Sequence, residues 1–321
     1  LFDIFRCQLL KVEFDFDGKW DISSIKPISL GSLNGAHEAF FIEALNTYLH
    51  KRWQAPRPKN ISKYDIAVLY NPQEKLPPSD KAALRKFAKA AKSLDVDVEL
   101  IERKDYSRLA EYDALFIRET TAINHHTYRF AKKAEGEGMV VIDDPDSIVK
   151  CTNKVYLAEL LAANQIPRPR TLVLQKGNIE ALERELQYPV VLKIPDGSFS
   201  RGVFKAADRR QVDDITAQVF KESDLILAQE FVPTEFDWRI GILNRKPVFA
   251  CRYYMPKHHW QIVKHDAGGR ITQGGYKAYH LEEAPPEVMN TAVAAANLIG
   301  DGLYGVDIKQ TERGPYVIEI N

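Results

Sequence analysis

The sequence has little cysteine, no excess of either charge and no long apolar run, and each shortage removes a class of protein. Its three cysteines, Cys7, Cys151 and Cys251, lie far apart and outside any CxxC or Cys/His spacing. That excludes a disulfide framework and a cysteine zinc site, leaving reduced structural thiols. Lys and Arg total 44, Asp and Glu total 44, and the formal net charge is zero. No global basic field therefore draws the chain to nucleic acid or to an anionic membrane. No apolar segment approaches bilayer-spanning length and the N-terminus carries no signal-peptide pattern, so a cytoplasmic location is the expectation. There is no Walker A GxxxxGK[ST], no GxGxxG after the first strand of the α/β region, and no Ser/His/Asp or Cys/His arrangement for a side-chain nucleophile.

What is present is ample core material. At 321 residues, 45% hydrophobic and 27% charged, the chain reads as two or three soluble globular domains. It starts at Leu1 without Met and stops at Asn321, which leads us to expect missing residues at one or both ends and a truncated C-terminal end. Leu9 to Phe16 alternates apolar and polar residues, Asp17-Gly18 is a hairpin turn, and Lys19 to Ile25 answers as a second strand. Glu38 to Trp53 has helical spacing, and Gln54 to Asn60 is a basic, Pro-containing linker. From Tyr64 strands alternate with helices. Strands are expected at 64–70, 96–101, 114–118 and 139–143, with helices at 79–94, capped by Ser79, and 126–137, the pattern of a parallel, doubly wound sheet. The expected domains are 1–60, 61–150 and 151–321.

Several stretches carry chemistry. Arg118-Glu119-Thr120-Thr121 follows an apolar strand, where open α/β sheets bind ligands, and Arg118 is a candidate carboxylate or phosphate anchor. His125 and His126 lack i, i+4 spacing or a third ligand and read as helix-start histidines without a metal role. Lys154 stands at the head of an amphipathic helix running to about Asn164, where free backbone N–H groups favour an anion. Lys193 interrupts the apolar strand 188–195 and needs an anion or an exit to water. The small-residue loop 196–203 could close over a polyphosphate. Gln229-Glu230-Phe231-Val232 can present an edge and an apolar slot to an aromatic ring, with Asp237 a short loop later. A hairpin through Asn244-Arg245 carries Arg239 and Arg252. The mixed aromatic, basic and Gly segment 258–279 includes Lys264, and Pro286 to Ile299 is an Ala-rich helix for packing.

The last stretch, Leu303 to Asn321, organises the rest. Tyr304 to Gln310 and Tyr316 to Asn321 alternate in β-branched fashion around the polar turn 311–315, an antiparallel hairpin. Glu319 and Asn321 share a face, and the hairpin can bring Asp307 against them. Two carboxylates and an amide carbonyl suit a hard cation such as Mg²⁺, which completes its shell with water and phosphate; a solvent-facing acidic strand end is the other reading.

Lys154, Lys193, the small-residue loop, the QEFV edge, Asp237 and the D…ExN hairpin occur in the order found in the ATP-grasp superfamily. The chain resembles RimK-like carboxylate-amine ligases of the alpha-L-glutamate type and, more distantly, glutathione synthetases. The resemblance implies an α/β and α+β protein: an N-terminal β-ribbon and helix extension, a parallel doubly wound pre-ATP-grasp domain, then an ATP-grasp fold of two α+β subdomains with 165–232 as the lid. It implies that Lys154 and Lys193 contact the α and β phosphates of ATP. Ser198, Ser200 and Gly202 would belong to the phosphate-covering loop, Glu230, Phe231 and Val232 would read adenine, and Asp237 the ribose. Asp307, Glu319 and Asn321 would hold two Mg²⁺ ions, replaceable by Mn²⁺. Arg252 matches an arginine near the transferred phosphoryl group, with Arg239 and Lys264 as further catalytic candidates. Phe199 and Arg201 depart from the Gly-richer loop of glutathione synthetases.

The activity implied is an ATP-dependent ligase that joins an acyl-donor carboxylate to an amine acceptor through an acylphosphate, with glutamate or another amino acid added to a peptide, protein terminus or small molecule. The loop would close as a lid to keep water from the acylphosphate. The alternatives are an ATP-binding regulatory or scaffolding module without ligase activity, and a phosphotransferase. A homodimer is the usual assembly of similar proteins.

Overall fold

The computed structural model describes residues 9–50, 62–195, 202–257, 259–265 and 271–321, with backbone only at 48–50, 264, 265 and 271. Its contacts divide the chain into two compact units, 1–145 and 146–321.

In the first unit, Leu10–Phe16 (β1) and Trp20–Pro27 (β2) pair antiparallel around Gly18, whose φ of 77° suits the turn. The helix expected from Glu38 begins earlier and is described over Gly35–His50 (α1). The expected linker, 54–60, lies outside the described residues. Tyr64–Leu69 (β3), Val96–Ile101 (β4), Ala114–Ile117 (β5) and Val140–Ile142 (β6) form a parallel sheet in the order β4-β3-β5-β6. Lys81–Ser93 (α2) and His126–Gly136 (α3) alternate with its strands, as the strand-helix pattern required. One boundary differs. Asp80, not Ser79, caps α2, accepting from the Ala83 N–H at 2.7 Å, because the buried Ser79 hydroxyl accepts from Arg118 Nε at 2.9 Å. A 3₁₀ run over Arg103–Glu111, unmarked by any clear period, fills the connection between β4 and β5.

The second unit opens with Pro145–Thr152 (α4), whose first residue closes the preceding unit, and Lys154–Ala163 (α5). Thr171–Leu174 (β7), Ala181–Glu185 (α6), Val190–Lys193 (β8), Val203–Ala206 (β9), Arg209–Val219 (α7) and Ile226–Glu230 (β10) follow. The four strands make an antiparallel sheet in the order β7-β10-β8-β9. Leu174, Val190, Leu192, Ala206, Val212, Ile226 and Ala228 form its buried core.

The remainder is a five-stranded antiparallel sheet with one covering helix. Phe236–Leu243 (β11), Lys246–Tyr254 (β12), Val263–His265 (β13), Ile271–Gln273 (β14), Tyr276–Tyr279 (β15), Pro286–Ile299 (α8), Leu303–Thr311 (β16) and Gly314–Ile320 (β17) complete the chain. The sheet runs β15-β12-β11-β16-β17, and β13 pairs only with β14. The turn between β11 and β12 holds Asn244 and Arg245 at positive φ, as a two-residue hairpin demands.

Side chains alternate across a strand, and directly opposed residues share a face. Trp238 lies opposite Ile308 and Ile240 opposite Val306, while Arg239 lies opposite Asp307. One face therefore packs Trp238, Ile240, Ile242, Val306 and Ile308 with Val288, Ala292, Ala295, Ala296 and Ile299 of α8. The small alanines of α8 let it approach the sheet closely, and each fully buried Ile or Val contributes about 1.5–3 kcal/mol. The other face is charged.

Candidate active site

That charged face begins with a forked ion pair. Arg239 donates from Nε to Asp307 Oδ1 at 2.7 Å and from Nη2 to Oδ2 at 2.6 Å. Burial pushes the Asp307 carboxyl up and the Arg239 charge opposes that rise. A guanidinium does not release its proton in the accessible pH range, so the carboxylate facing it stays ionised. Asn321 Nδ2 donates to Asp307 Oδ2 at 3.2 Å. Glu319 lies directly opposite Asp307 across the terminal hairpin. The three oxygen-bearing residues expected on one face are together, held by the register of β16 and β17.

Two lysines face them. Lys154 is the first residue of α5, set there by Asn153, whose side chain accepts from the Tyr156 N–H at 3.0 Å. Its Nζ is 3.1 Å from Glu319 Oε1, and its backbone N–H donates to the Pro195 carbonyl at 3.2 Å. Lys193 ends β8. Burial pulls its ammonium down to about 8, against the opposing pull of the Glu319 carboxylate. Burial acts to raise Glu319 in turn, but Lys154 and Lys193 outweigh it and hold that carboxyl below its usual range. Beside the lysines lies a narrow cavity of about 20 Å³ reaching Thr171, Gln229 and Val317, space for a water and little more.

Sequence reasoning missed Lys309 and Thr234. Lys309 Nζ lies 2.6 Å from Asp237 Oδ1 and 2.8 Å from Thr234 Oγ1, and Thr234 Oγ1 donates to Asp237 Oδ1 at 3.1 Å. The signal was available, since Lys309 follows Asp307 by two residues on one strand and so lies on its face. Four cations, Lys154, Lys193, Arg239 and Lys309, thus stand among three carboxylates, Asp237, Asp307 and Glu319.

The β10 edge is also brought into contact with residues that the sequence did not single out. Glu230 accepts from Arg313 Nη2 at 3.1 Å and from the Arg170 N–H at 3.3 Å. Lys205 Nζ lies 3.9 Å from the Phe231 ring centroid, Trp260 meets that ring edge-on at 5.9 Å, and Val232 is buried. Gly202 has φ 69°, and a Cβ there would fall 2.7 Å from Ile194 Cδ1, so the chain must turn on glycine. Ser198 and Ser200 lie outside the described residues. Lys264 is placed in β13 opposite Thr272, with its side chain outside them.

Arg252 is not brought to the carboxylates. Arg252 lies opposite Trp238, on the α8 face of the sheet, stacked among Phe236, Trp238 and Tyr279 at 4.3, 4.5 and 4.9 Å. The period of two that puts Arg239 on the charged face puts Arg252 on the other. Arg118 belongs to the first unit, where its guanidinium binds Ser79 Oγ and, through Nη2, the Pro78 carbonyl at 2.8 Å. Burial lowers its pKa, and the Asp143 carboxylate opposes that shift. No helix among the described residues is long and apolar enough to cross a membrane.

Comparison with known proteins identifies the family. The RimK-like ATP-grasp domain matches residues 151–321. The alpha-aminoadipate–LysW ligase LysX of Saccharolobus solfataricus is 30% identical over 196 residues, 58% of this chain and 67% of that protein. A probable alpha-L-glutamate ligase of Aliivibrio fischeri is 26% identical over 217 residues, 66% of this chain and 69% of that one. Among solved structures, a RimK domain ATP-grasp protein of Sphaerobacter thermophilus superposes with a TM-score of 0.62 at 18% identity, covering 80% of this chain and 90% of the other.

Proposed function

The chain belongs to the RimK-like ATP-grasp family and is an ATP-dependent carboxylate-amine ligase, and from that premise we propose how its residues divide the work. Lys154, Lys193 and Lys309 bind the triphosphate. Asp307, Glu319 and Asn321 hold Mg²⁺ against it, and Glu230, Phe231 and Val232 form the adenine edge. The observation that carries this reading is the convergence of Lys154 on Glu319 and of Asn321 on Asp307 at one end of one sheet.

The donor set fits a hard cation. It offers two carboxylates and an amide carbonyl, which Asn321 leaves available while its Nδ2 serves Asp307. The local charge also fits. With four cations against three carboxylates among the described residues, the site carries one positive charge, so a bare divalent ion is disfavoured and a polyanion is welcome. A metal ion and a triphosphate together complement the site where either alone does not. When bound, Mg²⁺ neutralises charge on the transferring phosphoryl oxygens.

The chain's own side chains supply the rest. Lys193, sunk at the end of an apolar strand, gains a partner when phosphate arrives, and Lys154 brings its charge to the positive end of the α5 dipole. Arg239 places Nε and Nη2 on Asp307 and fixes the rotamer of that carboxylate. We assign it a positioning role. Arg252 is left out of the phosphate set because it lies on the opposite sheet face. The reaction we propose is attack of a substrate carboxylate on the γ-phosphoryl with departure of ADP, followed by amine attack on the acylphosphate carbonyl and loss of phosphate and a proton. No side-chain nucleophile is needed. Because both relatives carry an acidic amino acid in their names, glutamate or a longer homologue is the proposed amino-acid partner.

The test is ADP release and product mass after incubation with ATP, Mg²⁺ and a panel of acidic amino acids, small peptides and protein C-termini. An amide product that disappears in Asp307→Asn is expected. A stable phosphorylated product, or turnover unaffected by Asp307→Asn, would refute the assignment.

A further inference from the structure

The first unit contains a second cluster that the ligase reaction does not use. β5 ends at Ile117 and runs into Glu119, and α3 begins at His126 with His125 at its N-cap. Glu119 Oε2 stands 2.7 Å from His126 Nε2. The two imidazole centroids are 4.0 Å apart and tilted by 46°, and one ligand atom from each of Glu119, His125 and His126 lies within 4.8 Å of the others. The strand end thus supplies the third group that the sequence spacing of the two histidines did not show.

Glu119 is 3% exposed and His126 8%. Despite the short separation from Glu119, His126 Nε2 makes no hydrogen bond of good geometry among the described residues. A buried imidazole nitrogen without a partner is costly and rare. His125 Nδ1 lies 3.1 Å from Thr127 Oγ1, a contact that orients the ring from behind. Glu74 is anchored on the Thr120 N–H at 3.2 Å and on its hydroxyl. Besides Glu119 itself, the charges acting on the group are Glu74 and Glu102 against Arg103 and Arg129.

We propose that Glu119, His125 and His126 form a divalent transition-metal site of the Zn²⁺ class. Two imidazoles with one carboxylate suit a borderline-soft ion and not Mg²⁺ or Ca²⁺. Metal–ligand bonds of about 2.0–2.1 Å set tetrahedral ligands roughly 3.4 Å apart, so entry requires Glu119 and His126 to part by about 0.7 Å and the wider separations, at most 4.8 Å, to close by up to about 1.4 Å. The ion ties the end of β5 to the start of α3, and its fourth position stays open to water.

The experiment uses the whole protein, stripped with a chelator and titrated with Co²⁺ and with Zn²⁺ in the absence of nucleotide. One equivalent of Co²⁺ giving a visible d–d band, with Zn²⁺ displacing it and raising Tm, is expected. Glu119→Gln and His126→Gln should each weaken Zn²⁺ binding by about 100-fold. Should those buried replacements prevent folding, His125→Gln removes a ligand nearer the surface and must also lose the band. Absence of a d–d band in the unmodified protein overturns the proposal. So does an unchanged spectrum and affinity in the folded variants, which would put the ion elsewhere in the chain. Asp307→Asn, in the other unit, should leave the titration as it is.

Discussion

The two faces of the five-stranded sheet are built from the same strands and do opposite things. Toward α8, Trp238, Ile240, Ile242, Val306 and Ile308 are essentially without solvent contact. On the reverse side the alternate residues Asp237, Arg239, Asp307 and Lys309 are all charged and all paired. The apolar face supplies stability without needing directional partners. The charged face spends much of its electrostatic energy on desolvation, so its pairs serve position more than stability. A one-residue slip in β16 would exchange the faces, which is why the core specifies the register that the site depends on.

The comparison makes four predictions. Glu319→Gln leaves four cations facing two carboxylates and should lower ADP release on the order of 10²–10³-fold, while Tm stays within a few degrees. A parallel loss of folding would show that this face is core after all. On the other face, Ile240→Ala should cost about 2–5 kcal/mol in denaturant unfolding and leave the ATP affinity of the folded protein within about twofold. The third prediction concerns pH. Burial holds the folded Lys193 pKa near 8, against 10.5 for the exposed side chain. Between those values the unfolded chain binds more protons, so this residue makes stability rise with pH across that window. Nucleotide needs the ammonium, so ATP affinity should fall about tenfold per pH unit above 8, and calorimetry near pH 8 should show proton uptake on binding. Lys193→Met should bind weakly with a flat profile. The smallest effect is expected from Arg252→Met, which keeps an apolar stem among Phe236, Trp238 and Tyr279. Turnover should stay within about threefold, and a loss as large as that of Glu319→Gln would bring Arg252 back to the reaction.

Much of this was legible in the chain. The terminal hairpin, its facing Asp307, Glu319 and Asn321, the parallel sheet from Tyr64 and the Asn244-Arg245 turn all follow from periods of two and from turn chemistry, which are local. The cap of α2 fell to Asp80 because Ser79 was drawn to Arg118, 39 residues away. Arg252 carried the right chemistry on the wrong parity. Lys309 was not singled out, because its partner Asp237 lies 72 positions away, and Glu119 was read only as part of the polar run after β5.

Strand positions, the terminal hairpin and the shared face of Asp307, Glu319 and Asn321 were legible in the amino-acid sequence itself, since alternation and turn preference act over a few neighbouring residues, whereas the order of strands in the sheet was not. Which cation meets which carboxylate was decided only by tertiary structure. Arg239 joins Asp307 across 68 positions and Lys154 joins Glu319 from another element. Those pairings exist because sheet register and helix docking, driven by apolar burial on the far side, carry charges together that no local rule connects.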